Sequence, residues 1–407
     1  MDFLLDHGGE IRLKAYFDRI GDLLGYQKRR ASFALYAFGL FGDAERKSVE
    51  PIAARACADP EKTDALHQRL CHFMVDSEWD DHQVRLVAAQ FAIAALASRE
   101  PVQNWIVDDS GWLKQGKHSV GVQRQYTGSA GKITNCQIGV SLTLATRSEH
   151  LPVDFELYLP HTWADDSARR KEARIPDEVQ FKTKPELAID LIRRAVADEL
   201  PPGVVLADSA YGTNTWFRDQ IRQLNLHYAV AIDRALKVWR MDAIKRRAGD
   251  PISVADVATQ LPRKAFRRCT WRNGTKEPLH ARFARLRIVP FHDDGILPAE
   301  REDVWLVIEW PDGESAPTKF YLSSLPRKIS LRRLVRTIKE RWRTERTYED
   351  LKGELGLDHY EGRRFPGWHH HISVVLCCYA FIIAERARRF SPSPGRSAEA
   401  VPLSLSA

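Results

Sequence analysis

The hydrophobic period of this chain changes once, near residue 100, and that change restricts the fold more than any other feature. Before it, apolar residues recur at helical spacing in RASFALYAFGLFG, VEPIAARA and DALHQRLCHFMV, with Asp59-Pro60 punctuating the series. Two short helices across a turn can be a helix-turn-helix or part of an ordinary bundle; pattern alone leaves both open. After residue 100, short apolar runs at 105–107, 137–144, 155–159, 204–207 and 228–232 read as strands. Amphipathic helical stretches at 185–200 and 213–224 separate the last three runs. The order β-β-β-α-β-α-β implies one mixed sheet covered by helices.

Residues 234–326 interrupt that order with hairpin-like segments around turns at Asp293-Asp294-Gly295 and Pro311-Asp312-Gly313. Within them, residues 263–287 carry nine Lys and Arg against the single acid Glu277. That local excess surpasses the formal charge of +7 for all 407 residues. Residues 327–346 are again basic, with nine Lys and Arg against two Glu. A continuous helix is expected from Ser330 to Lys352, then an apolar helix over 372–388 and a disordered tail. The expected units are 1–98 (helical, DNA-binding), 99–233 and 327–390 (two parts of one catalytic domain), 234–326 (basic β insertion) and 391–407 (tail).

Composition narrows the function classes. Six scattered cysteines without a C-x-x-C pair argue against a zinc site or a disulfide framework and for reduced thiols in the cytoplasm. The acidic start MDFLLDHGGE lacks the basic segment of a secretory signal. The longest apolar run, 372–384, is short of the ~20 residues of a membrane helix, so no membrane partner is expected.

Three features can carry chemistry. WIVDDSGW places Asp108 and Asp109 after an apolar strand, and VVLADSAYG does the same for Asp208. A carboxylate at a strand end is held in place by the sheet, although each alone also reads as a turn aspartate; YAVAID, ending at Asp233, has the same form. If the first and fourth strands are neighbours, Asp108 and Asp208 meet. The third feature is IKERWRTERTYEDLKGE, where Arg341, Glu345, Tyr348 and Lys352 fall on one helix face. Spacing alone also allows a solvated face carrying an Arg341–Glu345 ion pair.

Taken together, these motifs resemble the DDE transposases, in which two strand aspartates and a helix glutamate form the catalytic triad on a ribonuclease-H-like fold. The helix is similar to the Y-(2)-R-(3)-E-(6)-K signature of one insertion-sequence branch: Arg341, Glu345 and Lys352 match, while Ile338 stands where the Tyr belongs. The stretch from Asp108 to Val140 resembles in particular the insertion-sequence family numbered 701. The resemblance implies an α/β, ribonuclease-H-like mixed sheet with an N-terminal helical domain and a basic β insertion. It implies Asp108, Asp208 and Glu345 as catalytic and metal-binding residues, with Asp109 the alternative to Asp108. Two Mg²⁺ ions, or Mn²⁺, would serve DNA cleavage and strand transfer. The implied partners are double-stranded DNA, as terminal inverted repeats and target, and further copies in a homodimer or larger synaptic complex near the bacterial nucleoid. Cut-and-paste movement follows, with or without hairpinned ends; the rival is a domesticated, non-catalytic DNA-binding regulator.

The remaining basic and aromatic candidates are DNA contacts. They are Arg341, Lys352 and Tyr348 on the helix, Lys114, Lys117 and Arg124 beside the first strand, and Arg267, Arg268, Trp271 and Arg272 in the insertion, Trp271 being placed to stack on an unpaired base. SAGKIT lacks the first glycine of a phosphate loop, so ATP binding is not expected. Consecutive His369, His370 and His371 cannot converge on one ion from a helix and are expected near DNA or solvent.

Overall fold

The computed structural model describes residues 6–389 except 58, 242–249, 275–276 and 293, so the expected tail lies outside the described residues. Five helices come first: α1 (His7–Leu24), α2 (Gln27–Phe41), α3 (Val49–Ala56), α4 (Pro60–Val75) and α5 (Asp81–Ala97). Asp6, Asp59 and Asp80 cap α1, α4 and α5 by accepting backbone N–H bonds, which is why the helices start where they do. The sheet then opens with β1 (Asn104–Leu113), β2 (Gln123–Thr127), β3 (Lys132–Ala145) and β4 (His150–Leu157). β3 pairs antiparallel with the whole of β1 through its residues 136–145, while β2 and β4 share the other edge of β3.

Helices α6 (His161–Ala164), α7 (Ser167–Ala173) and α8 (Lys184–Ala197) lead to β5 (Val204–Leu206), which lies parallel to β1. Thr183 and Glu186 form a reciprocal capping box at the start of α8. Short helices α9 (Ser209–Gly212) and α10 (Thr215–Gln223) precede β6 (Ala229–Ile232), reached from β5 by a parallel bridge between Val205 and Tyr228. The resulting order β4-β3-β1-β5-β6, three antiparallel strands followed by parallel ones, is that of a ribonuclease-H-like sheet.

The insertion does not stand apart from this sheet. It comprises β7 (Lys237–Arg240), β8 (Ile252–Ser253), α11 (Val254–Thr259), β9 (Arg267–Asn273), β10 (Pro278–Pro290), β11 (Val304–Trp310) and β12 (Lys319–Ser323). β12 pairs with β6, and the ladder runs on through β11 to β10, whose far edge holds β7 and β9. Asp233, following β6, accepts the backbone N–H of Ala235 and serves that turn. Three helices close the fold: α12 (Leu331–Lys339), α13 (Trp342–Leu355) and α14 (Phe365–Arg389). The single helix expected from Ser330 to Lys352 is thus two, with Glu340 and Arg341 in the turn between them.

Helix α14 organises the core. By length and composition it could cross a membrane, yet 94% of its apolar window is buried within the protein. It packs against α5, β4 and α2, so the N-terminal helices share one hydrophobic core with the sheet. Its first turns also correct the expectation for the histidine triplet: all three rings are buried. His370 donates from Nδ1 to the Met74 carbonyl at 2.8 Å and stacks on Trp79 with ring centroids 3.9 Å apart. His371 sits between the Tyr36 hydroxyl at 2.9 Å and the Gly356 carbonyl at 3.1 Å.

Burial pushes His370 down to about 4, against the opposing pull of Asp81 and the Met74 carbonyl. Between its ordinary value of 6.5 and about 4, the unfolded chain takes up a proton that the folded chain refuses. Stability is therefore full above that window and falls as pH drops through it. His370→Gln should melt lower than wild type at pH 7 but lose less stability between pH 7 and 4.5, as thermal unfolding followed by circular dichroism would show. An identical pH loss in both proteins would assign it to other groups.

Candidate active site

Strand register builds the first half of the site. Ile106 of β1 lies level with Leu206 of β5, so two residues further on Asp108 and Asp208 leave neighbouring strands at the same height. β5 stops at Leu206, whereas β1 continues beyond its aspartates to Leu113 because β3 still pairs with it. Asp108 is therefore a mid-strand residue opposite Ser141, not a strand end. Asp208 caps α9, accepting from the backbone N–H of Ala210 at 2.9 Å and of Tyr211 at 3.4 Å.

Alternation along β1 separates the adjacent aspartates. Asp108 is 9% exposed and accepts from Arg341 Nη1 at 2.7 Å. Asp109 is held by Lys184 Nζ and by the Tyr211 hydroxyl, each at 3.1 Å. Arg341 uses its other nitrogen, Nη2, to reach Glu345 at 2.9 Å. One guanidinium thus spans a carboxylate of β1 and a carboxylate in the first turn of α13, with the charge of Asp208 also acting on it.

The electrostatics follow from this crowding. Burial, the largest influence, pushes Asp108 up to about 7; Asp208 and Asp109 add to the rise and Arg341 opposes it. Burial works against the charge of Arg341, yet Asp108, Glu345 and Asp208 together hold it above its ordinary value. The oxygens that accept from Arg341 are carboxylate oxygens, the ligand type that suits a hard divalent cation. Among the described residues no three acids, histidines or cysteines converge as a metal cluster; in the site the guanidinium stands between Asp108 and Glu345. Glu345 is 60% exposed on the first turn of α13 and is the carboxylate with most room to change rotamer.

Several expected DNA contacts have structural duties instead. Tyr348 is turned inward, its hydroxyl 2.6 Å from that of Ser141, so it is not a surface ring. Lys114 donates to the carbonyls of Tyr360 at 2.6 Å and Asp358 at 3.4 Å, clamping the end of β1 to the loop after α13. Trp271 has Lys339 over its face at 4.6 Å and meets Phe283 edge-on, so its ring is engaged. Arg272 lies 3.8 Å over the ring of Trp342. Ile338, at the Tyr position of the signature, is buried beneath α12. Lys352 donates to the Gly111 carbonyl at 2.8 Å and to Ser129 at 3.3 Å, beside the site. Lys117, Arg124, Arg267 and Arg268 are exposed. Lys184, Tyr211 and Ser129 went unread because each acquires its place only through tertiary contact.

The family model described as DDE superfamily endonuclease matches residues 19–278, well over half of the chain. The chain belongs to this superfamily, whose members are nucleases that generally use divalent metal ions. Over 363 residues it is also 25% identical to a protein of Microchaete diplosiphon named as the probable transposase for insertion sequence element IS701, covering 88% of this chain and 84% of that one. The span matched by the family model, 19–278, contains Asp108 and Asp208, while Glu345 lies beyond it.

The two aspartates should behave differently on substitution. Asp108→Asn should abolish cleavage of a labelled duplex in Mg²⁺, whereas Asp109→Asn should keep it within about tenfold of wild type. Equal losses would overturn the division of roles. Lys114→Met should cost about 1.5–3 kcal/mol of stability in denaturant unfolding, the range for hydrogen bonds from a charged group, with DNA affinity unchanged. Weakened DNA binding at full stability would restore Lys114 as a DNA contact.

Proposed function

We propose that this chain is an insertion-sequence transposase that cuts and joins DNA strands with Asp108, Asp208 and Glu345. The observation that carries the reading is the Arg341 bridge: a single side chain ties the buried aspartate of β1 to the glutamate of α13, with Asp208 just beyond the end of the adjacent strand β5. A solvated helix face, the rival for Glu345, would have no reason to reach a buried strand carboxylate.

In this reading the three carboxylates hold two Mg²⁺ ions, or Mn²⁺, which when bound supply a lowered pKa for the attacking oxygen and charge stabilisation for the departing one. The remaining work belongs to the chain. Water, or a 3′-hydroxyl in strand transfer, attacks the phosphorus and gives its proton to solvent, while the P–O bond opposite breaks and the departing oxygen leaves with the electron pair and takes a proton from solvent. Arg341 orients the carboxylates and presents its positive charge to the phosphate. Lys352, anchored on Gly111, adds a second cation along the same edge. No protein nucleophile is needed, since the attacking group is an oxygen of water or DNA.

The partners are double-stranded terminal repeats and target DNA, engaged by a homodimer or larger synaptic assembly at the nucleoid of a bacterial cytoplasm. Lys117, Arg124, Arg267 and Arg268 remain the exposed cations for phosphate contact. A non-catalytic regulator has no observation in its favour, since both aspartates, Arg341, Glu345 and Lys352 are all in place.

Glu345→Gln removes a negative charge while keeping side-chain size. Cleavage of a transposon-end duplex in Mg²⁺ should fall at least 10²-fold, while binding measured in Ca²⁺ holds or tightens slightly. Wild-type cleavage by the Gln variant would exclude Glu345 from the chemistry. Joint loss of cleavage and binding would mark it as a structural partner of Arg341.

A further inference from the structure

The helix that leads into the site has a face for which the mechanism has no use. α12 buries Leu334, Val335 and Ile338 beneath the second half of the sheet, sharing a cluster with Phe283, Trp305 and Val307. Its outward stripe is Arg332, Arg333 and Arg336, all exposed. Arg336 lies four residues after Arg332 and three after Arg333, so its guanidinium group projects beside each of theirs. α12 lies against β9, where Lys339 reaches over Trp271, and exposed Arg267 of β9 borders the same face.

Charge at this place is concentrated and uncompensated. Among the described residues, Arg267, Arg332, Arg333 and Arg336 form no ion pair, although acids elsewhere in the structure are widely paired. Both Arg332 and Arg267 act on the thiol of Cys269, and Arg267 also acts on Arg285, so the groups are close enough to repel one another. Arg285 itself is tied to the Ile329 carbonyl at the foot of α12. Like charges gathered without counter-charge lower stability unless a polyanion supplies it.

Direction adds the second argument. From Arg332 the chain runs through α12 and a two-residue turn to Arg341, about 14 Å at 1.5 Å per residue. Phosphates of one DNA strand recur about every 3.4 Å of helix axis, so that length corresponds to about four nucleotides.

We propose that Arg267, Arg332, Arg333 and Arg336 form a track for the duplex backbone, the helix arginines gripping phosphates within about four nucleotides of the bond cut at Asp108 and Glu345 and Arg267, on β9, gripping farther along it. The inference rests on the transposase reading and deepens it by locating a DNA surface. Contacts to phosphate position the duplex without reading its sequence, so the track serves terminal repeat and unrelated DNA alike.

The test compares wild type with Arg332→Ala/Arg336→Ala and Arg267→Ala/Arg332→Ala/Arg336→Ala. Fluorescence anisotropy would follow binding to a transposon-end duplex and to a scrambled duplex between 50 and 200 mM salt. Each lost phosphate contact removes about 0.9 from the slope of log affinity against log salt, about threefold in affinity across that fourfold range. The double variant should lose about two such steps on both duplexes, and Arg332→Lys/Arg336→Lys should restore them. An unchanged slope, or a loss confined to the end sequence, would overturn the track. Because these side chains are exposed and repel one another, melting temperatures of the free variants should match or slightly exceed wild type; a drop that the Lys variant does not rescue would assign the arginines to folding and overturn the proposal. Failure of wild type to bind either duplex would instead remove the transposase reading itself.

Discussion

The parallel pairing of β1 with β5 is the constraint on which the site depends. Three residue pairs, Asn104 to Ile106 against Val204 to Leu206, set the level of Asp108 within β1 and of Asp208 just beyond β5. A slip of one residue would turn Asp108 to the face now occupied by Asp109, towards Lys184 and Tyr211. The register is kept by what the strands bury: Ile106 and Leu206 are fully enclosed, and Trp105 anchors its indole N–H on the Pro201 carbonyl at 2.8 Å. Gly203 permits that approach, because a Cβ there would lie 2.8 Å from the Asn104 backbone and the Trp105 ring.

A second set of charges ties the helical layer to the sheet. Arg85 of α5, almost fully enclosed, bonds Asp81 and reaches Asp154 of β4 at 3.0 Å, while Arg194 of α8 bonds Asp154 at 2.9 Å and Glu156 at 2.8 Å. Asp81 is held below the usual carboxylate range: burial would raise it, but Arg85 and His369 prevail. Such a network adds little net stability relative to a well-packed apolar core. Its effect here is geometric, since the ion pairs and hydrogen bonds of one arginine fix α5, β4 and α14 relative to one another, with Ser373 of α14 accepting from Arg85 at 2.7 Å.

Much of this architecture was legible in the sequence, and the failures have physical causes. The apolar runs at 105–107 and 204–207 became β1 and β5 because period and turn residues agree there. β2 escaped notice because Gln123–Thr127 is polar and half exposed, its pairing to β3 carrying no hydrophobic signature. Spacing placed Arg341 and Glu345 together, yet a helix face is only an arc, and the same arithmetic wrongly put buried Tyr348 on the surface. Lys114 and the histidines misled for a related reason: side-chain polarity reports what a residue can bond, not whether its partner is water or a buried carbonyl. The register between distant strands lies beyond any local pattern, so the meeting of Asp108 with Asp208 could be expected only through topology or resemblance.

The hydrogen-bonded link from β6 to β12 has a mechanical consequence. Because the insertion continues the catalytic sheet, any group carried on β9 is separated from β5 by five interstrand steps through β6, β12, β11 and β10. At about 4.8 Å per step this is about 24 Å, close to seven base pairs of duplex. A hinged module could vary that interval by swinging, whereas a sheet can only twist. The reach between grip and cut is therefore a property of strand number, and insertions in the loops between these strands would leave it unchanged while a lost or added strand would move it by one rung.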